Sequence, residues 1–558
     1  MAAMSCSRLL SFAAALLLFG SACGKVEKPG NGVPEEQTPA AESTLFGTVR
    51  GNDGKPLEGV LVSDGLYVTK TDASGAYGLP GYPGGTDYVF VSTPSGYSAP
   101  VRDGIPVFWI FLKDASKGSD GKYHGLDFTL EKIADPERFS IIIYADPQPR
   151  SRSDGYDRLA YHSLDVCEDM YKDMKEQVGK MGGRPVYGIC LGDVVHRDLS
   201  LIPDYKRGMA GTGIISYHVI GNHDHDVTKS SDRDAARTFE SHFGPVNYSF
   251  NLGKFHIVVL DNMIAPVTES GRISDNCGNG LTDEIWEWLR NDLVATGPKV
   301  ELIVCAHSPM FRLPGGKDRS ANHAADYRKI LSRFPKVYAF AGHTHISHNY
   351  VNIDDPVIET HTLTRVTGQL WTNEYVSDNG TPRGYIVAEY DHGKFSWKYK
   401  PLYYQTGAWD ASYGGNSKKP SYTWRDWNYI GGRALLKSSG QPLDDNYQMQ
   451  LFAPGVYEAN KLYANIFLWD ELWETPVFEY GGNHRKMTRV SDNRYSYATR
   501  EIIEFFKANN SALASENYNL SDSNTDSMFS VFVNDEHGMG TVSVTDRFGE
   551  TFSQEISW

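Results

Sequence analysis

The sequence predicts a multidomain protein with a central α/β domain between an N-terminal all-β sandwich and a mostly β C-terminal domain. The chain has 558 residues, too many for a single hydrophobic core. Short alternating strands with turn signals occupy both ends, whereas strands alternate with helical segments in the middle. In that middle part, five apolar runs each end directly before a short polar motif.

The first 43 residues are expected to direct export. Arg8 precedes an apolar stretch, Leu9–Phe19, which is shorter than a membrane-spanning helix and is followed by small residues. We therefore predict a signal peptide over residues 1–22 and a lipidated Cys23 that begins a flexible tether over residues 23–43. The expected location is the periplasm or the outer membrane of a Gram-negative bacterium, as a lipoprotein attached only through that lipid. A plain signal peptide with an incidental cysteine is the alternative.

Residues 44–133 are predicted to form a small β-sandwich. Short strands such as Phe46–Val49 and Gly59–Val62 alternate with turns, among them Asp53-Gly54, a dipeptide typical of hairpins. The stretch GTVRGNDGKPLEGVLVSDG resembles the carboxypeptidase regulatory-like modules. That resemblance implies no chemistry of its own.

Residues 136–401 show the alternation of strands and helices that is typical of an α/β domain. Cys167, Tyr171 and Met174 fall on one face of a predicted helix. Thr282, followed by two acidic residues, is predicted to cap the N-terminus of another helix.

Residues 402–558 return to aromatic and β-branched runs and are predicted to form a mostly β domain. The clearest runs are Tyr463–Trp469, Met528–Val533 and Thr541–Val544. A helix is predicted near Arg500–Lys507.

Net charge limits the classes of binding partner, and the cysteine positions indicate whether disulfides are expected. The formal net charge is −15, which argues against binding duplex nucleic acid, because such proteins need basic surfaces. A phosphate-ester substrate remains compatible with this charge if metal ions supply positive charge locally. Cys190 and Cys305 lie inside apolar runs and are predicted to be buried thiols, and no disulfide framework is indicated.

The polar motifs carry the functional prediction. The apolar runs are Phe139–Tyr144, Tyr187–Leu191, Ile214–Ile220, Val300–Cys305 and Val337–Ala341. The motifs after them are Asp146-Pro147-Gln148, Gly192-Asp193, Gly221-Asn222-His223-Asp224, Ala306-His307 and Gly342-His343-Thr344-His345. If the runs are buried strands lying side by side, their carboxyl ends share one sheet edge, where α/β folds place ligand sites. Such an inventory of carboxylates, imidazoles and an amide predicts a two-metal hydrolase site.

In order and spacing these motifs resemble the calcineurin-like metallophosphoesterase family, over roughly residues 136–400. The family pattern is Asp-x-His, Gly-Asp, Gly-Asn-His-Asp/Glu, a lone His after a strand, and Gly-His-x-His. The resemblance implies a two-sheet β-sandwich flanked by helices, holding two divalent metal ions, which are manganese, iron, zinc or magnesium. It implies hydrolysis of a phosphomonoester or phosphodiester through a metal-bridging hydroxide.

The resemblance also implies a role for individual residues. The metal ligands that it implies are Asp146, Gln148, Asp193, Asn222, His307, His343 and His345. Asp193 would bridge the two ions, Asp146 and His345 would bind the first ion, and Asn222, His307 and His343 would bind the second. His223 would protonate the leaving alkoxide as general acid.

Two positions depart from the commonest pattern. Gln148 stands where His is usual, and its neutral, harder amide oxygen favours manganese, iron or magnesium over zinc. His196 follows the bridging Asp193 by three residues. We hypothesise that His196 lies within the site and either completes the shell of the first metal or contacts substrate. Arg197 beside it is a candidate for a phosphate contact.

An alternative function is a surface-anchored glycan- or partner-binding protein whose phosphoesterase-like scaffold is catalytically silent. The sequence feature that separates the two functions is retention of Asp193 together with His223, for which a binding scaffold has no chemical need. Both residues are present. The ligand set does not specify the substrate among phosphate esters.

Overall fold

The computed structural model describes residues 42–82, 85–150, 163–311, 321–353, 357–368, 377, 379–402, 448–490, 525–534 and 536–558. The predicted signal peptide, nearly all of the tether with Cys23, and the predicted helix at Arg500–Lys507 lie outside these residues and stay predictions. Within the described part of the chain, no helix combines the length and the apolarity that crossing a membrane requires.

The N-terminal region is the predicted β-sandwich. Its strands are β1 Leu45–Gly51, β2 Leu61–Ser63, β3 Val68–Lys70, β4 Ala76–Leu79, β5 Tyr88–Val91, β6 Tyr97–Ser98, β7 Val101–Arg102, β8 Ile105–Pro106, β9 Trp109–Phe111 and β10 Phe128–Lys132. Two four-stranded sheets, in the orders β4-β1-β10-β6 and β3-β2-β5-β9, form the layers, and β7 and β8 make a separate hairpin. Inward residues of β1 alternate with partly exposed ones, as a half-buried strand requires.

This sandwich shares its hydrophobic core with the central region. Phe108 lies 4.7 Å from Tyr248 and 6.1 Å from Tyr217, measured between ring centroids. The ring of Trp109 lies over Gly244, where an added Cβ would come within 2.5 Å of it. The two regions therefore pack without an intervening layer of water-exposed side chains at these contacts.

The central region contains thirteen strands and five helices among the described residues. The strands are β11 Arg138–Tyr144, β12 Val186–Cys190, β13 Ile215–His218, β14 Tyr248–Leu252, β15 Phe255–Leu260, β16 Met263–Ile264, β17 Gly278–Asn279, β18 Glu301–Ala306, β19 Val337–Ala341, β20 His348–Val351, β21 Ile358–Thr362, β22 Gly384–Asp391 and β23 Lys394–Pro401. The helices are α1 Ser163–Lys180, α2 Ile202–Ala210, α3 Asp232–Phe243, α4 Asp283–Thr296 and α5 Ala324–Leu331.

The central strands form two main sheets, as the family resemblance implies. A five-stranded sheet has the order β13-β12-β11-β22-β23, and a six-stranded sheet has the order β14-β15-β18-β19-β21-β20. The expectation that all five motif-bearing strands share one sheet edge is wrong, because β11, β12 and β13 lie in the first sheet and β18 and β19 in the second. Each group is parallel, so each sheet presents the carboxyl ends of its strands together.

Two predicted helices are confirmed. In α1, Cys167, Tyr171 and Met174 are buried on one face. Thr282 caps α4 by accepting a hydrogen bond from the backbone N–H of Ile285 at 3.3 Å, and two acidic residues follow in the first turn. The buried thiols Cys190 and Cys305 are also confirmed.

The C-terminal region is mostly β in its described part. Its strands are β24 Met449–Phe452, β25 Lys461–Ile466, β26 Val477–Tyr480, β27 Asn483–Lys486, β28 Thr488–Arg489, β29 Met528–Phe532, β30 Met539–Thr545 and β31 Thr551–Ser557. They form two four-stranded sheets, β24-β25-β29-β28 and β27-β26-β30-β31, around a separate apolar core.

A buried ionic cluster joins the C-terminal region to the central sheet. Arg547 donates to both carboxylate oxygens of Glu359 on β21, at 2.6 and 2.8 Å, and to Asp470 at 3.1 Å. Lys336 also pairs with Glu359, and the guanidinium of Arg547 lies over the ring of Trp397 at 5.0 Å. Since Glu359 is fully buried, its charge depends on these cations.

We expect Arg547→Met to destabilise the protein by about 3–5 kcal/mol, because it leaves buried Glu359 and Asp470 without their main cation. Urea unfolding followed by circular dichroism measures the loss. The matched control is Arg102→Met, at an exposed position in β7. Equal unfolding midpoints for the two variants would show that the cluster contributes nothing to stability.

Candidate metal centre

The predicted site residues sit on strained backbone directly after their strands. Five of them have left-handed φ angles, namely Asp146 (55°), Gln148 (43°), Asp193 (52°), His343 (65°) and His345 (59°). Each such residue costs about 1 kcal/mol or more and persists only where its surroundings hold it. Backbone hydrogen bonds do so here: Asp146 N–H donates to Gly192 O at 3.2 Å, and Gln148 N–H donates to Asp193 O at 3.1 Å.

One group of donors lies around Asp146 and Asp193. Ligand atoms of Asp146, Asp193 and His345 lie within 4.8 Å of one another. Nε2 of His345 is 3.4 Å from Oδ1 of Asp146. The Gln148 amide lies against the same pair and donates from Nε2 to Asp193 Oδ2 at 2.5 Å. The residues that the resemblance assigns to the first ion, Asp146, Asp193 and His345, are therefore neighbours, and Gln148 lies beside them.

A second group of donors meets on the other side of Asp193. Oδ1 of Asn222 lies 3.2 Å from Nε2 of His307 and 3.1 Å from Nδ1 of His343. The two imidazole nitrogens are themselves 3.2 Å apart, and Asp193 Oδ1 is 3.3 Å from His307 Nε2. Asp193 thus touches both groups, which is the position a bridging carboxylate needs.

The orientation of His307 suits a metal ligand. Its Nδ1 donates to the carbonyl oxygen of Leu191 at 2.7 Å, which fixes the tautomer of the neutral ring, so that the neutral ring has its lone pair on Nε2. The ring is fully buried. A backbone carbonyl at Nδ1 is the usual support of a ligating imidazole.

The two buried carboxylates of the pocket favour the binding of cations. Asp146 and Asp193 are 0% and 1% exposed. Burial alone would raise the pKa of Asp193, but His307 and His223 hold it well below its usual value. Burial opposes a charged His307, yet Asp193 and Asp146 raise its pKa to about 9. The two carboxylates therefore attract whatever positive charge is available.

Gln148 fits a metal site, although the pattern that the sequence resembles commonly has His at this position. Its Oε1 is buried and makes no hydrogen bond to a described residue. An amide oxygen left in this way costs free energy unless a further group binds it. The residues present therefore suit divalent cations with a preference for oxygen donors.

The glycines of the motifs provide room for the ligands. A Cβ on Gly342 would lie 2.4 Å from Asp146 Oδ2, one on Gly221 would lie 2.1 Å from Asp193 Oδ1, and one on Gly192 would lie 2.5 Å from His307 Nδ1. All are closer than side-chain atoms pack. A glycine is therefore sterically required at the first position of the Gly-Asp, Gly-Asn-His and Gly-His motifs.

His223 and His196 lie against each other beside the candidate metal ligands. Their ring centroids are 4.1 Å apart. Burial, followed by the nearby His223 and Arg150, lowers the pKa of His196 to about 2, so its ring is neutral at pH 7. The backbone N–H of His223 donates to Asp193 Oδ1 at 2.9 Å, which connects the candidate acid to the candidate bridging carboxylate.

Asp275 is a site residue that the sequence did not indicate. Its Oδ2 lies 3.3 Å from Nδ1 of His223, and it pairs with the guanidinium of Arg197. The adjacent imidazole of His223, followed by the guanidinium of Arg197, lowers the pKa of Asp275 to about 2, against the effect of burial. Asp275 lies between β16 and β17 and follows no apolar run, so the strand-end pattern gave no signal for it.

Arg365 is a second such residue and supports the first motif. It is fully buried, and its guanidinium donates to the carbonyl oxygens of Pro147 and Gln148 at 3.2 and 3.1 Å. Thr367 donates to the Pro147 carbonyl as well, at 3.0 Å. Arg365 comes three residues after β21, so a search for polar residues at strand ends finds it once β21 is recognised.

Three family profiles match the sequence. Residues 139–347 match the profile described as calcineurin-like phosphoesterase, and residues 43–133 and 361–552 match those of the N terminal and C terminal of calcineurin-like phosphoesterase. The C-terminal profile begins before β22 and β23, which pair in the sheet of β11. No curated protein matches the sequence.

Three solved structures are similar to parts of this chain. The purple acid phosphatase from yellow lupin (Lupinus luteus) seeds is 13% identical, with a TM-score of 0.32, over 48% of this chain and 52% of that one. The NAD nucleotidase of Haemophilus influenzae is 11% identical, with a TM-score of 0.26, over 48% and 50%. The 5'-nucleotidase of Candida albicans is 13% identical, with a TM-score of 0.28, over 49% and 53%. This chain spans about half the length of each.

We expect Gly342→Ala to weaken binding of Mn²⁺ about 10- to 100-fold, because the new methyl group displaces Asp146. Isothermal titration calorimetry of metal-free protein measures the affinity. Gly179→Ala in α1 is the control, since its Cβ would meet nothing within 4 Å. If Gly342→Ala bound Mn²⁺ as tightly as Gly179→Ala does, the close approach of Gly342 to the ligand would not matter.

Proposed function

The chain belongs to the calcineurin-like phosphoesterase family, a family of metal-dependent phosphoric ester hydrolases, and from this premise we propose a specific chemistry. We propose that it hydrolyses a phosphomonoester or phosphodiester at a dinuclear site, with His223 as general acid. The observation that carries the proposal is the convergence of seven donor side chains, from strand ends of two sheets, on one buried pocket.

The proposed metal ligands follow the two groups of donors. Asp146, Gln148 and His345 would hold one ion, Asn222, His307 and His343 would hold the other, and the two ions would share Asp193. Bound cations supply Lewis-acid activation of water and neutralise charge on the phosphoryl group. The amide oxygens of Gln148 and Asn222 favour manganese, iron or magnesium over zinc.

The chain's own residues bind the phosphoryl group and move a proton. The backbone N–H of His223 donates to Asp193, and its Nδ1 lies 3.3 Å from Oδ2 of Asp275. These two contacts position the ring. Its Nε2 is then the nitrogen available to protonate the leaving oxygen. Arg197, half exposed and paired with Asp275, supplies a guanidinium for a phosphate oxygen.

The silent-scaffold alternative is the weaker one. A protein that only bound a glycan or partner would gain nothing from a shared buried carboxylate, a fixed His307 tautomer and a proton donor beside them. These features are costly to fold, because the carboxylates are buried and the backbone around them is left-handed. An active site explains that cost.

The proposed place of action is outside the cytoplasm, with the chain anchored through Cys23. The support is the apolar stretch Leu9–Phe19 after Arg8, the small residues before Cys23 and the tether-like composition that follows. The substrate on this proposal is a phosphate ester that reaches the cell envelope. Duplex nucleic acid is a poor match to the net charge of −15.

We expect metal-loaded protein to hydrolyse para-nitrophenyl phosphate or bis-para-nitrophenyl phosphate, and Asp193→Asn to lose turnover by on the order of 10²-fold or more. Metal-free protein is reloaded separately with manganese, iron, zinc or magnesium, and nitrophenolate release is followed. Asp114→Asn, at an exposed position, is the control for the same charge change. Turnover by Asp193→Asn equal to that of the control would contradict the proposed site.

A further inference from the structure

Asp275 connects the two motif loops that carry the candidate acid and the phosphate-facing arginine. Its Oδ2 lies 3.3 Å from His223 Nδ1, and the same oxygen pairs with the guanidinium of Arg197. Its carbonyl oxygen accepts a hydrogen bond from Asn222 Nδ2 at 3.1 Å. One residue therefore contacts the Gly-Asn-His motif twice and the loop after Asp193 once.

The segment that presents Asp275 is held at both ends. β16 and β17 pair antiparallel, with Met263 opposite Asn279 and Ile264 opposite Gly278. Inside that loop Val267 pairs with Ile273, so the chain turns back just before Asp275. A tethered loop of this kind can hold a side chain in one orientation, as a positioning role demands.

The partners of Asp275 are coupled to one another as well. The backbone N–H of Arg197 donates to the carbonyl oxygen of His223 at 3.1 Å. Arg197 itself has a left-handed φ of 62°. The carboxylate of Asp275 thus closes a ring of contacts in which His223 and Arg197 are fixed relative to each other.

We propose that Asp275 is a positioning residue that orients His223 toward the leaving oxygen of the substrate and holds Arg197 beside it. This inference rests on the proposed phosphoesterase function. Because the Nδ1 edge of the His223 ring lies 3.3 Å from the carboxylate of Asp275, Nε2 on the opposite edge is directed away from Asp275. The residue that orients the candidate acid therefore lies in the loop between β16 and β17, whereas the candidate metal ligands follow the ends of strands.

The hydrolytic step makes the consequence measurable. Water supplies the oxygen of the new P–O bond, and the ester P–O bond breaks with its electron pair going to the leaving oxygen. His223 Nε2 gives that oxygen a proton. The attacking water releases a proton to solvent, and His223 is protonated again from solvent. Protonation matters for a poor leaving group and little for a good one.

The test compares Asp275→Asn with the unchanged protein on para-nitrophenyl phosphate, a good leaving group, and phenyl phosphate, a poorer one. We expect kcat for phenyl phosphate to fall at least about tenfold further than kcat for para-nitrophenyl phosphate. Asp275→Glu keeps a carboxylate and should recover part of the loss. Glu269→Gln, an exposed change in the same loop, is the control. Equal losses on both esters, or none, would overturn the proposal.

Arg197→Gln separates the two partners of Asp275. If Arg197 only binds phosphate, this variant raises KM for both esters alike and leaves the preference between leaving groups unchanged. A leaving-group pattern like that of Asp275→Asn would instead show that the carboxylate acts through Arg197, and would overturn the orientation of His223.

A readout independent of turnover is the Nδ1 proton of His223 in ¹⁵N-histidine-labelled protein. The signal that disappears in His223→Gln should shift in Asp275→Asn and stay in place in Glu269→Gln. If the unchanged protein hydrolyses neither ester while this shift occurs, the proposed function fails and the positioning of His223 stands. An unmoved signal would overturn the positioning itself.

Discussion

The structure depends on keeping two carboxylates, Asp146 and Asp193, together where their side chains are almost completely removed from solvent. Each is almost completely buried, so neither is stabilised by solvent, and the cost of burying an ion is several kcal/mol. Neighbouring imidazoles and backbone N–H groups offset part of that free-energy cost. His307 and His345 lie against the carboxylates, and the N–H groups of His223 and His343 donate to them. On the proposed function, bound cations would complete the compensation.

The C-terminal region is part of this arrangement because it supports the loop that carries His343 and His345. In the C-terminal region, Asn465 donates to the carbonyl of Asn379 at 3.2 Å, and Asn379 donates to that of Ser347 at 2.9 Å. Ser347 is two residues beyond His345, whose own carbonyl accepts from Thr364 at 3.0 Å. The last motif is therefore supported by a chain of hydrogen bonds that begins in another domain.

The sequence predicts what depends on local pattern. Apolar runs that end in polar motifs indicate buried strands, and Thr282 before acidic residues indicates a helix start, because both signals lie within a few residues. The division of the motif-bearing strands between two sheets was not predictable in this way, since strand pairing depends on contacts far apart in the chain. The contact between Asp275 and His223 spans more than fifty residues, and the pair Glu359–Arg547 joins separate domains.

Anomalous X-ray diffraction from crystals of the Mn²⁺-loaded protein tests the two-ion site most directly. Two peaks about 3.5–4 Å apart are expected, one bounded by Asp146, Gln148 and His345 and the other by Asn222, His307 and His343, with Asp193 between them. A single peak, or peaks away from Asp193, would contradict the dinuclear arrangement on which the proposed chemistry depends.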